Sequence, residues 1–156
     1  VKLQHDLREF IELLNSHGVD YLVVGGHAVA FHGHPRFTGD IDFLLRPTPE
    51  NAVRLLLVLQ DFGFGELALS VEDFVHPGRV VQLGRPPNRI DLLTSITGVG
   101  FEEAWNHRAQ SDLDGLPVSF LGWDALIQNK KASGRPQDIA DAEKLEAIAS
   151  KRKEPE

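Results

Sequence analysis

The sequence predicts an α/β (α+β) fold, a mixed β-sheet with flanking helices and a C-terminal helical segment. Strand-like and helix-like runs alternate irregularly. "RVVQLG" and "RIDLLTSI" flank the turn-rich "RPPN" as two arms of a hairpin, and only helical patterns follow residue 122. A hairpin inside an alternating chain argues for a mixed sheet over a purely parallel one. At 156 residues the chain suits one domain, expected over 1–150, with 151–156 as a frayed tail.

Leu3, Leu7, Phe10, Ile11 and Leu14 recur at helical spacing, with Asp6, Arg8, Glu9 and Glu12 on the other side, which predicts a helix over 3–16 ended by Gly18. "YLVV" at 21–24 is short, apolar and rich in β-branched residues, a buried strand closed by Gly25 and Gly26. A short helix follows over about 27–32, then a second strand, "DIDFLL", at 40–45. Thr48 caps the next helix, with Pro49 in its first turn, and the helix runs to about Asp61 before "FGFGE" breaks it. Beyond the hairpin, "FEEAWNHR" reads as helix, "LPVSFLG" as strand, and 122–133 and 137–150 as helices.

Hydrophobic residues at 42% and charged residues at 25% are globular values, which excludes a disordered chain. No apolar run approaches the roughly 20 residues needed to cross a bilayer, and the start lacks a secretory pattern, so no membrane association and a cytoplasmic location are expected. The absence of cysteine excludes disulfides, thiolate metal sites and a cysteine nucleophile. A net charge of -7 weighs against nonspecific nucleic-acid binding, which draws on Lys and Arg contacts to phosphate.

The chemistry gathers on three acids. In a strand, Asp40 and Asp42 project to one face while Ile41 points to the other. Two such carboxylates repel unless a cation lies between them, and Mg²⁺, which favours oxygen ligands, suits the gap. Asp91, flanked by Ile90 and Leu92, adds a third acid on another strand, so three acids could hold two metal ions. Solvated edge charges or turn formers are the plainer reading, but these acids interrupt strands instead of ending them. Gly25 and Gly26 can expose amide N–H groups ahead of a helix, a phosphate-binding geometry as well as an ordinary turn. The dinucleotide fingerprint GxGxxG is not met, which argues against a nicotinamide or flavin enzyme.

His27, His32 and His34 match no firm zinc motif; His27 is a candidate nucleotide contact as well as an ordinary core or surface histidine. Arg36 and Thr38 could approach nucleotide phosphate or lie in a solvated loop. Lys130 and Lys131 sit late in a helix, where cations are favoured in any case. Asp138, Asp141 and Lys144 have the spacing of helix-surface pairs.

Taken together, "VVGGHAVAFHG", "RFTGDIDFLL" and "NRIDLL" resemble the nucleotidyltransferase superfamily with the DNA polymerase beta-like fold, especially its minimal, toxin-like branch related to the AbiEii family. "LIQNKKASGRPQDIADAEKL" is similar to that branch's closing LIxxKxxxxRxxD segment. The resemblance implies that Gly25 and Gly26 cradle a triphosphate and that Asp40 and Asp42 ligate metal. Asp91 would complete the site and help deprotonate or orient an acceptor hydroxyl. Lys130 and Arg135 would add positive charge for phosphate, with Asp138 holding Arg135 or reaching the site itself. Where many members carry Ser, this chain has Gly26, so a hydroxyl contact to phosphate is replaced by backbone amides.

The expected function is transfer of a nucleoside monophosphate from an NTP to an acceptor hydroxyl, with Mg²⁺ or Mn²⁺ as cofactor, pyrophosphate as leaving group and a toxin–antitoxin role as one setting. The acceptor could be an RNA end, a protein side chain or a small molecule. With no second domain recognisable, a protein partner or homodimer could complete acceptor recognition. The rival expectation is a catalytically silent nucleotide-binding module of a regulatory pair.

Overall fold

The computed structural model describes residues 4–35, 39–85 and 88–153. Six strands form one mixed sheet flanked by helices. In chain order the elements are α1 (His5–Ser16), β1 (Tyr21–Val24), α2 (Gly25–Phe31), β2 (Ile41–Leu45), α3 (Pro49–Asp61), β3 (Val80–Leu83), β4 (Ile90–Leu93), α4 (Phe101–Asn106), β5 (Ala109–Leu113), β6 (Leu116–Phe120), α5 (Trp123–Ser133) and α6 (Pro136–Lys153). A 3₁₀ turn at Val71–Phe74 lies between α3 and β3.

The strands lie in the order β3-β4-β2-β1-β6-β5. β1 runs antiparallel to β2 and parallel to β6, β2 runs parallel to β4, and the β3–β4 and β5–β6 pairs are antiparallel hairpins. The mixed sheet is therefore as the sequence predicts. α6 continues through Lys153, past the expected helix end at 150.

Two hydrophobic layers sandwich the sheet. Tyr21, Val23, Ile41, Phe43, Leu45 and Leu92 pack with Phe10, Ile11 and Leu14 of α1 and Leu55, Val58 and Leu59 of α3. Leu22, Val24 and Leu44 face the other way, onto Ala28 and Val29 of α2, Ala104 of α4, Leu126 and Ile127 of α5, and Ala142 and Leu145 of α6. The period of two places Asp42 on the Leu44 side of β2 and Asp91 on the Leu93 side of β4. Both acids thus belong to the layer that holds α2, α5 and α6.

Candidate active site

Three strand ends converge to build the site. Val24, the last residue of β1, pairs with Asp42, and Asp42 pairs in turn with Asp91 across the parallel β2–β4 register. Asp40 lies just before β2, on the side of Asp42.

Where β1 passes directly into α2, the chain must turn sharply, and Gly25 takes a left-handed φ of +66° to do so. A β-carbon there would stand 2.1 Å from Asp42 Oδ2. Glycine is therefore required both by conformation and by the closeness of the acid. Gly26 is buried within α2. The helix begins at the glycines themselves, two residues before its expected start, because the left-handed residue completes the turn without a loop.

The three acids crowd one another. Burial pushes the Asp42 carboxyl up to about 7, and the hydrogen bond to Asp91 and the charges of Asp91 and Asp40 act in the same direction, with Arg89 opposing them. Asp42 is therefore disfavoured as an anion beside its neighbours. Arg89 meets the excess charge. Its Nε donates to Asp91 Oδ1 at 2.7 Å and its Nη2 to Asp91 Oδ2 at 3.1 Å, while Nη2 lies 3.4 Å from Asp40 Oδ2. The Arg89 backbone N–H donates to Asp40 Oδ1 at 3.1 Å. Sequence reasoning missed Arg89, although it stands two residues before Asp91, the spacing that puts two strand residues on one face.

The donor set fits a hard divalent ion: three carboxylates from adjacent strand ends, with Asp42 and Asp91 in register on neighbouring strands. They are not yet gathered around a single point. Among the described residues, the one His/Asp/Glu trio with ligand atoms all within 4.8 Å of one another is the exposed His5, Asp6 and Glu9 on α1.

The remaining candidates fall elsewhere. His27 lies in the first turn of α2; burial lowers its pKa, keeping the imidazole neutral, and Nε2 has no hydrogen-bond partner among the described residues. His32 Nε2 donates to the Leu121 carbonyl at 2.8 Å, so the neighbouring histidines have separate surroundings. Arg36 and Thr38 lie outside the described residues.

Lys130, Arg135 and Asp138 form a second cluster, where α5 meets α6. Lys130 is buried, with Nζ 3.1 Å from Asp138 Oδ1 and 3.4 Å from Asp141 Oδ2. Arg135 Nε donates to Asp138 Oδ2 at 2.8 Å, and Ser133 Oγ donates to the same oxygen. Burial alone would raise the Asp138 pKa, but hydrogen bonds from Ser133, Lys130 and Arg135 outweigh it and hold the carboxyl down to about 2. Asp138 and Asp141 are buried against α5, which corrects their reading as surface partners. The cross-helix lysine is invisible to spacing within one helix.

Comparison with known proteins sets this geometry in a family. The family described as "Nucleotidyl transferase of unknown function (DUF2204)" matches residues 3–155. Among solved structures, the Thermotoga maritima protein TM1012, a candidate nucleotidyltransferase, has a TM-score of 0.58 at 15% identity, over 93% of this chain and 91% of its own. ANT(2")-Ia in complex with adenylyl-2"-tobramycin has a TM-score of 0.53 at 16% identity, over 92% of each chain. An antigenic nucleotidyltransferase-like protein from Paracoccidioides brasiliensis has a TM-score of 0.50 at 19% identity, over 92% of this chain and 75% of its own. At these identities the likeness is one of fold. A sequence comparison with curated proteins gives no match. Among the described residues, no helix is long and apolar enough to cross a membrane.

Proposed function

Because the chain belongs to this nucleotidyl transferase family, and so is an enzyme of the nucleotidyltransferase superfamily, we propose that it moves a nucleoside monophosphate from an NTP to an acceptor hydroxyl with Mg²⁺ assistance. The observation that carries this reading is the approach of left-handed Gly25 to Asp42, beside Asp91 on the neighbouring strand. It brings the backbone of the turn against a paired carboxylate, where the side chain of any other residue would collide with the acid.

In this reading the backbone at Gly25 and Gly26 receives the triphosphate, and Asp40, Asp42 and Asp91 hold the divalent ion. When bound, that ion supplies charge neutralisation on phosphate and polarises the reacting phosphoryl group. The acceptor oxygen attacks the α-phosphorus and the bond to the β-phosphate bridging oxygen breaks. Pyrophosphate leaves with that electron pair, and the acceptor proton passes to Asp91. Asp91 suits this role as the acid on the strand beside Asp42. Neutral His27, with an unpartnered Nε2 one residue beyond the glycine pair, is available to hydrogen-bond the nucleotide. The toxin–antitoxin setting and the AbiEii-like branch rest on the resemblance of the glycine turn and acidic strands, together with the closing segment from Leu126 to Leu145.

Thermal unfolding with each of the four NTPs, with and without Mg²⁺, tests the reading. A ligand at 100 times its Kd stabilises by about 2.7 kcal/mol, a shift of several degrees. A shift that needs both metal and nucleotide, and vanishes in the Asp40→Asn, Asp42→Asn double variant, is expected. Absence of any shift overturns it. Nucleotide binding without product from any acceptor would favour the silent regulatory module.

A further inference from the structure

Among the described residues, Arg89 is the cation that meets Asp40 and Asp91. Its guanidinium engages both oxygens of Asp91 and faces Asp40, and its backbone N–H fixes the other Asp40 oxygen. Its carbonyl also accepts from the Ile41 N–H at 3.0 Å, so the main chain at Arg89 is tied to β2. The side chain is 27% exposed and borders solvent, while the backbone beneath it is held.

A planar fork spread across Asp91 occupies the oxygens that a divalent ion would use, and a guanidinium and a metal on the same carboxylate repel at close range. We infer that Arg89 is an exchangeable counter-cation: without metal it holds Asp40 and Asp91, and a divalent ion must displace it from those oxygens in order to bind. This rests on the reading of Asp40, Asp42 and Asp91 as metal ligands. Once released, the fork matches phosphate oxygens as well as it matched the carboxylate. Metal arriving with a triphosphate therefore meets less competition than metal alone, and the empty enzyme resists loading with a bare ion.

The test is Mn²⁺ binding to the nucleotide-free protein, read as the loss of the free-ion signal in electron paramagnetic resonance. Wild type, Arg89→Gln and Arg89→Lys are compared, each with and without Asp42→Asn. Arg89→Gln should bind Mn²⁺ about tenfold more tightly than wild type, the order expected from removing one positive charge a few Å from the ion. Arg89→Lys, which keeps a charge but not the fork, should fall between them, and it serves as the comparison where Arg89→Gln does not fold. Asp42→Asn should abolish the gain while sparing any ion held at His5, Asp6 and Glu9 on α1. Equal or weaker binding in both Arg89 variants, with binding still dependent on Asp42, overturns the counter-cation role and leaves the metal site intact. Binding indifferent to Asp42, or absent from every variant, overturns the metal site and this inference together.

Discussion

Two acidic clusters lie on the same side of the sheet, and they are solved in opposite ways. Where α5 meets α6, Asp138 receives a lysine, an arginine and a serine hydroxyl, and its carboxyl is held down to about 2. At the ends of β2 and β4, Arg89 meets Asp40 and Asp91, and Asp42 is pushed up to about 7. The first cluster is satisfied from within the chain, as a structural network must be. In the second, Asp42 is disfavoured as an anion by burial and by its neighbouring acids, and a fold that keeps such a repulsion has a use for a cation from outside. Compensation, and not acidity, separates a strut from a site.

The sharpest way to break that contrast is to remove the unsatisfied acids. Asp40→Asn with Asp42→Asn should lower transfer by about 10⁴-fold or more, since each carboxylate stabilises charge that the reaction gathers. The fold should persist, because neither side chain serves the core. Product formation from labelled NTP measures the first effect and circular dichroism the second.

The satisfied cluster should respond in stability. Lys130→Ala leaves Asp138 and Asp141 buried without their ammonium partner, and breaking a buried ion pair from one side costs about 3–5 kcal/mol. Chemical unfolding reads this directly. Activity per folded molecule then separates a strut from a catalytic group: unchanged kcat makes Lys130 a strut, whereas a fall beyond the loss of folded protein returns it to the reaction.

The same contrast divides what was legible in the sequence. The frame from β1 to β4 and the placing of Asp42 and Asp91 on one face follow from periods and turns, which act over a few residues. β5 escaped because "AQSDL" is a largely polar edge strand with no alternation to mark it. Its turn was nevertheless readable: Asp114 and Gly115 take φ values of +52° and +79° between paired Leu113 and Leu116, the two-residue Asp-Gly hairpin. Both clusters draw on partners that spacing alone does not supply. Asp138 and Asp141 find Lys130 across a helix pair, and Arg89 reaches Asp40 across β2 and β4.

Acid should weaken the satisfied cluster. Asp138 has a folded pKa below its unfolded value of about 3.9, so its contribution is complete above that value and is lost as pH falls toward about 2. Lys130, Ser133 and Arg135 donate to it, and Asp141 is the neighbouring charge. A shift of this size is worth about 2 kcal/mol. The unfolding free energies of wild type and Asp138→Asn should therefore converge as pH falls from about 4 toward about 2. A constant difference would mean that packing, and not ionisation, carries the role of Asp138.

The smallest expected effect has the opposite sign. Asp42→Asn removes a buried carboxyl that Asp91 and Asp40 both disfavour as an anion, and keeps its shape and one hydrogen-bonding oxygen. Relief of repulsion at a functional site commonly stabilises by about 0.5–2 kcal/mol, so the metal-free variant should melt above wild type at neutral pH. Saturating Mg²⁺ and nucleotide should reverse the order, because wild type alone gains the bound ligands. A variant less stable than wild type without metal would show that Arg89 and the hydrogen bond to Asp91 already compensate Asp42 fully. The two clusters would then differ in location and not in kind, and the case for an external cation would lose its physical basis.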